Sequence, residues 1–121
     1  MTWTVLAIAV AVLIIALIIK NSGRISIEDA RAHLRNGALV IDVRSAGEFV
    51  AGHLPMAVNL PLSEIETNWS RRISDKNKVL LLYCQSGVRS GEARKRLIAL
   101  GCPNTFNMGS YARAEEIVGR K

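Results

Sequence analysis

The order of apolar and polar positions divides the chain into a wholly apolar N-terminal stretch and a remainder of mixed character. Trp3–Ile19 contains one polar residue, Thr4, and no charged residue. A helix of this length would span ~26 Å at about 1.5 Å per residue, close to the ~30 Å hydrocarbon core of a bilayer. The pattern predicts a transmembrane anchor helix over residues 1–20, followed by a polar linker over residues 21–24.

The apolar stretch has two other possible interpretations, a buried core helix and a cleaved signal peptide. A buried core helix usually shows a polar face, and this stretch has none. A cleaved signal peptide needs basic residues before the apolar run and a small-x-small site after it, and both are missing. Basic residues follow closely, so the positive-inside rule predicts that the remaining domain, residues 25–121, lies in the cytoplasm and the N-terminus outside. The membrane expected to hold the anchor is the inner (plasma) membrane. These basic residues are Lys20, Arg24, Arg31 and Arg35.

Beyond the linker, short apolar runs alternate with helical patterns. Strands are predicted over Ala38–Val43, Ala57–Pro61, Lys78–Cys84 and Asn104–Met108. The second of these is bracketed by prolines and is expected at an edge of the sheet. Helical spacing lies between and around the runs, with Ser26 and Ser63 as expected N-caps. Strands separated by helices predict an α/β domain with a small, mostly parallel sheet and helices on both faces.

Composition narrows the classes of function. The chain carries 16 Lys and Arg against 10 Asp and Glu, but no basic helix stripe is interleaved with aromatic residues. We therefore predict no nucleic-acid partner, and interpret the charge as a field for small anions or an anionic membrane. Two cysteines, Cys84 and Cys102, are too few for a metal cluster. An intervening helix would hold them ~20 Å apart, whereas a disulfide needs Cα atoms within ~7 Å.

Cys84 ends a predicted strand, and the short loop Gln85–Ser90 leads from it into a helix. Ligands of parallel α/β sheets bind at the carboxyl ends of strands. With Gly87 to allow a tight turn, such a loop points backbone N–H groups into the space that it encloses. Those dipoles, the helix terminus and Arg89 would favour a thiolate on Cys84, which is a nucleophile. A buried and inert cysteine is the alternative.

Three segments resemble rhodanese-type sulfurtransferases. They are "CQSGVRS" at Cys84–Ser90, "VIDVR" at Val40–Arg44 followed by Glu48 and Phe49, and "AGHLPMAVNLP" at Ala51–Pro61. The resemblance implies a rhodanese-like fold, no metal and no cofactor. It also implies that Cys84 takes sulfur from a donor such as thiosulfate, or from a persulfide-carrying protein, and passes it as a persulfide to a thiol or cyanide. The residues expected to bind substrate are Gln85, Ser86, Gly87, Val88, Arg89 and Ser90.

Several side chains are expected to support the loop. Asp42 would pair with Arg89 or Arg44 and hold the loop in shape. Arg44 would either attract an anionic donor or form a structural ion pair. Ser86 and Ser90 would donate to the persulfide or serve as helix caps.

Two other functions compete with sulfur transfer. Phosphatases of related architecture use C-x5-R, but here Arg89 is the fifth residue after Cys84 and Ser90 the sixth, so this chemistry is not expected. A non-catalytic interaction or regulatory module at the membrane is the main alternative. The retained cysteine, Gly87 and arginine of the loop favour the transferase. The resemblance weakens after the last strand, where Gly109 is not followed by a second glycine.

Overall fold

Four parallel strands form the sheet of the protein, in the order β2-β1-β3-β4. The structure is a computed structural model that describes residues 2–20 and 24–119, without the side chains of 19 and 20. The strands are β1 (Leu39–Asp42), β2 (Val58–Asn59), β3 (Leu80–Tyr83) and β4 (Thr105–Gly109). The helices are α1 (Thr2–Lys20), α2 (Ile27–Arg35), α3 (Ala46–Ala51), α4 (Ile65–Arg72), α5 (Val88–Ala99) and α6 (Tyr111–Val118).

Alternate residues of the central strand β3 pack on opposite faces of the sheet, as the pleat requires. Leu80 and Leu82 belong to one buried apolar cluster, and Leu81 and Tyr83 belong to the other. The helices add Ile65, Ala93 and Leu97 to the first cluster and Ala30, Ala114 and Ile117 to the second. Helices α4 and α5 therefore cover one face and α2 and α6 the other, which confirms the predicted α/β class.

Local signals placed most elements correctly. Ser26 caps α2 by accepting the N–H of Asp29 at 3.1 Å, and the proline-bracketed strand β2 lies at an edge of the sheet. The expected N-cap at Ser63 is wrong. Ser63 lies inside a 3-10 turn, Leu62–Glu64, that follows Pro61, and α4 begins only after Glu64.

The two cysteines are free thiols and are both fully buried. Cys102 packs in the same apolar cluster as Leu82, and burial raises the pKa of its thiol. Cys102 is thus a packing residue of this cluster. Cys84 lies where β3 ends, and the loop after it leads directly into α5.

The predicted anchor corresponds to α1, whose apolar side chains are exposed, from 48% at Leu17 to 85% at Trp3. Within the described residues, however, no helix combines the length and the apolar character that a membrane span needs. The transmembrane prediction is therefore not supported. Residues 1, 21–23, 120 and 121 of the predicted anchor, linker and domain lie outside the described residues.

Candidate functional site

Backbone amides of the loop point at the sulfur of Cys84. The Gly87 N–H donates to Sγ across 3.0 Å and the Ser90 N–H across 3.4 Å. Both donors belong to the turn in which α5 begins, with Gly87 as the N-cap residue. The loop thus supplies two fixed dipoles, with their positive ends toward the sulfur, and a negative charge on Sγ is stabilised by such an arrangement.

The loop lies so close to the end of β4 that two glycines are required. Gly87 has φ of 94° and Gly109 has φ of 99°, which is the left-handed region. A Cβ atom on Gly87 would lie 3.2 Å from Cα and C of Gly109, tighter than normal contact. The Cys84 N–H also donates to the Gly109 carbonyl at 3.3 Å. Any side chain at position 87 would push the loop away from β4 and disturb its aim at the sulfur.

Asn107 holds the loop to β4 and was not among the predicted site residues. Its Oδ1 accepts the Ser90 hydroxyl at 2.7 Å and the Gly109 N–H at 2.8 Å, while Nδ2 donates to the Gly87 carbonyl at 3.1 Å. The residue is fully buried, beside an irregularity in the pairing of β3 with β4. The available signal was an amide side chain inside a short strand, where polar residues are costly unless they are hydrogen-bonded.

Ser90 was expected either to donate to the persulfide or to cap a helix, and the N-cap residue of α5 is Gly87. The Oγ of Ser90 lies 3.5 Å from Sγ of Cys84 but only 2.7 Å from Oδ1 of Asn107. A hydroxyl has one hydrogen, so the shorter contact receives it. The backbone N–H of Ser90 therefore donates to Sγ, while its hydroxyl lies within reach of the sulfur but closer to Asn107.

Arg89 connects the loop to α3. Its guanidinium forms a two-pronged ion pair with Glu48, with N–O distances of 2.7 and 3.0 Å. Arg89 foremost, together with the backbone N–H of Ser45, lowers the pKa of Glu48 to about 2. Arg89 thus pairs with Glu48 and not with Asp42, for which Arg89 and Arg44 were the two expected partners. The carboxylate of Glu48 thus neutralises the positive charge of Arg89 beside the loop.

Asp42 pairs with the second partner expected for it, Arg44. Both side chains are buried, and Nη2 of Arg44 lies 2.7 Å from Oδ2 of Asp42. The same nitrogen donates to the Gly52 carbonyl at 2.6 Å, and the guanidinium lies 4.8 Å from the ring centre of Tyr111. Hydrogen bonding to Asp42 is the main reason that the pKa of Arg44 is raised. Arg44 is thus part of a buried structural ion pair.

Two shallow cavities flank the loop. The Gln85 cavity has a volume of about 330 Å³ and is lined by Arg44, Glu48, Ala51, Gly52, Gln85 and Tyr111. The Ser86 cavity has a volume of about 350 Å³ and is lined by Arg24, Ile27, Ser86, Gly109, Ser110, Ala112, Arg113 and Glu116. Cys84 lines neither cavity, and Val88 projects outward with 47% of its surface exposed. A reagent must therefore reach the sulfur past the loop residues that line these cavities.

Comparisons with known proteins all indicate the same family. The "Rhodanese-like domain" family matches residues 26–113. The chain is 41% identical over 81 residues to the Bacillus subtilis protein "Uncharacterized protein YqhL", which is 67% of this chain and 62% of that protein. It is 33% identical over 69 residues to the thiosulfate sulfurtransferase PspE of Escherichia coli, covering 57% and 66% of the two chains. The match thus spans less than two thirds of the length of either relative.

A solved structure shares the fold. The human single-domain sulfurtransferase TSTD1 superposes with a TM-score of 0.66 and 30% sequence identity. The match covers 78% of this chain and 96% of the human chain.

We expect the ion pair between Glu48 and Arg89 to contribute pH-dependent stability. The folded-state pKa of Glu48 is about 2, below its ordinary value of 4.5, so the contribution is complete above pH 4.5 and is lost as the pH falls toward about 2. The effect is small because both side chains are 36% exposed. Urea unfolding of Glu48→Gln should show a lower midpoint than the unmodified chain at neutral pH, and the difference should shrink through this window. Glu28→Gln, at an exposed position on α2, is the control, and an equal pH trend there would contradict the assignment.

We expect Asn107→Leu to loosen the loop locally. Loss of its hydrogen bonds should speed amide hydrogen exchange at Gly87 and Ser90 about tenfold, which equals about 1.4 kcal/mol and lies in the range of a single hydrogen bond. Thr105→Val is the matched control, because Thr105 is buried two residues earlier in β4 and its hydroxyl donates to the Cys102 carbonyl at 2.9 Å. Equal acceleration of the two loop amides in both variants would show that general destabilisation, and not Asn107, governs them.

Proposed function

Because the chain belongs to the rhodanese-like domain family, we propose that it is a sulfurtransferase that carries sulfur as a persulfide on Cys84. The observation that supports this most directly is the pair of amide N–H groups, from Gly87 and Ser90, directed at Sγ. Both the thiolate and the persulfide that replaces it are anions, so one set of donors serves both states. Thiosulfate is the proposed donor, as the name of the E. coli relative suggests.

The proposed reaction has two balanced steps. In the first, the thiolate of Cys84 attacks the outer sulfur of thiosulfate. The sulfur–sulfur bond of thiosulfate breaks, and its electron pair leaves with sulfite. In the second, a thiolate or cyanide attacks the outer sulfur of the persulfide. The new sulfur–sulfur bond of the protein then breaks, and its electron pair returns to Sγ. No metal or organic cofactor enters either step.

The Gln85 cavity is the proposed entrance for the donor. Its charged groups, Arg44 and Glu48, are both already paired, with Asp42 and Arg89. The attraction for an anion at the sulfur therefore comes chiefly from backbone dipoles, which need no rearrangement during the reaction. The loop is also too short for the competing phosphatase chemistry, since Arg89 turns to Glu48 and Ser90 supplies the last N–H to the sulfur.

One observation favours a second candidate, a non-catalytic interaction or regulatory module. Cys84 has no exposed surface in this structure. If the loop never admits a reagent, the thiol would serve only to close the strand. Chemical trapping of the persulfide separates the two candidates.

We expect treatment with thiosulfate to add the mass of one sulfur atom to the protein, as observed by intact mass spectrometry. Cyanide should remove this mass, because it accepts the outer sulfur. Cys84→Ser should gain nothing, whereas Cys102→Ser, which retains the loop, should gain the same mass as the unmodified chain. An unmodified chain that takes up no sulfur would favour the non-catalytic module.

We further propose that α1 attaches the domain to a lipid bilayer, at the inner (plasma) membrane with the domain on the cytoplasmic side. The exposed apolar side chains of α1 support this proposal, because large exposed apolar surfaces mark contact sites. The buried apolar residues of the two sheet faces come from the described residues after position 24, so these clusters form without α1.

We expect the full chain to float with phospholipid vesicles in a density gradient. Val10→Asp combined with Ile14→Asp places charge in the apolar helix and should leave the protein in the dense fraction, since charge in hydrocarbon is costly. The proposal fails if the full chain stays in the dense fraction. Removal of the domain by a protease added outside intact cells would contradict the cytoplasmic orientation.

A further inference from the structure

The Ser86 cavity is not used by any step described above, although it touches the same loop. Ser86 and Ser110 line the Ser86 cavity, whereas their chain neighbours Gln85 and Tyr111 line the Gln85 cavity. Ser86 and Ser110 pair as an isolated antiparallel bridge. This bridge forms a ridge between the two cavities, so that the loop can be approached from two sides. A volume of about 350 Å³ lies within the range of small-molecule sites.

Two arginine side chains converge in the Ser86 cavity. A Cβ atom built on Gly109 would lie 3.4 Å from Cδ of Arg113 and 3.8 Å from Cδ of Arg24, so both side chains pass over the open face of this glycine. Burial foremost, and then the charge of Arg24, lowers the pKa of Arg113. Two guanidinium groups that repel each other in one cavity create a positive potential that an anion would relieve.

Arg113 is held in place by the backbone around it. Its Nη1 donates to the Met108 carbonyl and its Nη2 to the Ile25 carbonyl, each at 2.6 Å. These bonds join α6 to β4 and to the segment that contains Arg24. A ligand would therefore meet one cation that is already oriented, which lowers the entropic cost of binding.

The floor of the cavity is in direct contact with the loop of Cys84. The Gly109 carbonyl accepts the Cys84 N–H, and the backbone of Gly109 lies against Gly87, the residue whose N–H donates to Sγ. Only the backbone of Gly109 would therefore separate an anion bound over this glycine from the loop of Cys84. A short molecule could place its charged end here and extend its other end over the ridge toward the sulfur.

Glu116 limits the charge that the cavity accepts. It lines the same cavity, and its carboxylate acts on Arg113 in the opposite direction to Arg24, since it raises the pKa of Arg113. Two arginines and one glutamate leave a single net positive charge. A group with one negative charge, such as a carboxylate, fits this balance better than a dianion.

We propose that the Ser86 cavity binds the carboxylate of the acceptor, a small thiol that carries a carboxylate group. The inference rests on the proposed function, because it assigns the second substrate of that reaction. The acceptor thiol first loses its proton to solvent. Its thiolate then attacks the outer sulfur of the Cys84 persulfide, the bond between Sγ and that sulfur breaks, and the electron pair returns to Sγ. The acceptor leaves as a persulfide.

The test compares two acceptors that differ in charge. Persulfidated full chain, freed of excess donor, is mixed with mercaptopropionate or with neutral mercaptoethanol, and the loss of sulfur from Cys84 is followed by mass spectrometry. Arg24→Gln should slow transfer to subsaturating mercaptopropionate about tenfold, the scale of one charge-assisted hydrogen bond. The same variant should show an unchanged rate of transfer to mercaptoethanol and an unchanged rate of sulfur uptake from thiosulfate. Equal rates for Arg24→Gln and the unmodified chain with mercaptopropionate, or equal slowing with both thiols, would overturn the assignment.

Two further variants sharpen the comparison. Glu116→Gln removes the opposing charge and should speed transfer to mercaptopropionate alone. Arg35→Gln removes the same charge as Arg24→Gln from an exposed position at the end of α2, outside the cavity, and should change neither rate. If it matches Arg24→Gln, long-range attraction and not the cavity explains the selectivity, and the proposal fails.

A binding measurement separates this proposal from the proposed function. Methylthiopropionate has the carboxylate but no thiol, so it cannot accept sulfur. Its titration should shift the amide NMR signals of Ser86, Gly109 and Ser110 in the unmodified chain, and markedly less in Arg24→Gln. If Cys84 never takes up sulfur, the proposed function is wrong, but these NMR shifts still show whether the Ser86 cavity binds a carboxylate. Signals that do not move would overturn the carboxylate site even in an active enzyme.

Discussion

The close approach of two backbones, at Gly87 and Gly109, is the constraint on which the candidate site depends. With 3.2 Å between a Cβ built on Gly87 and the Gly109 backbone, there is space for hydrogen atoms only. This proximity sets the height of the loop above the sheet, and so determines whether the Gly87 and Ser90 amides reach Sγ. Asn107 then fixes the lateral position by bonding both sides of the contact. The aim of the amides is therefore a property of packing between a loop and a strand, not of the loop alone.

Charged side chains are distributed unevenly around the loop. An anion is therefore attracted by backbone dipoles at the sulfur and by side-chain charge in the Ser86 cavity. On the side of the Gln85 cavity, each arginine has a carboxylate partner: Arg44 with Asp42 and Arg89 with Glu48. Ion pairs of this kind fix geometry but have little charge left for a ligand. The residues that line the Ser86 cavity include two arginines, Arg24 and Arg113, and one glutamate, Glu116. Backbone dipoles thus dominate at the sulfur itself, while the net side-chain charge lies next to it.

The sequence allowed the class of fold and the position of the thiol to be predicted, because both depend on local patterns. Apolar runs located the strands, and a cysteine at the end of one of them had to lie at the carboxyl edge of a parallel sheet. The partners of the loop could not be predicted in this way. Arg89 and Glu48 are 41 positions apart, and Asn107 is 17 positions from Ser90. No spacing rule relates residues so distant, and Arg89 reaches Glu48 only because α3 packs beside the loop. Ser63 failed as a cap for a local reason, since the 3-10 turn after Pro61 displaced the start of α4.

A sulfur carrier with one thiol has to meet two different substrates at the same atom. If donor and acceptor used one entrance, the leaving sulfite would have to clear it before the acceptor could enter. The ridge formed by Ser86 and Ser110 divides the approach to the loop into two cavities of similar volume but different net charge. A fully buried sulfur fits this division, because the loop and not open solvent then decides what reaches it. The two sides of one short loop would in this way give the two half-reactions separate recognition while they share a single set of amide donors.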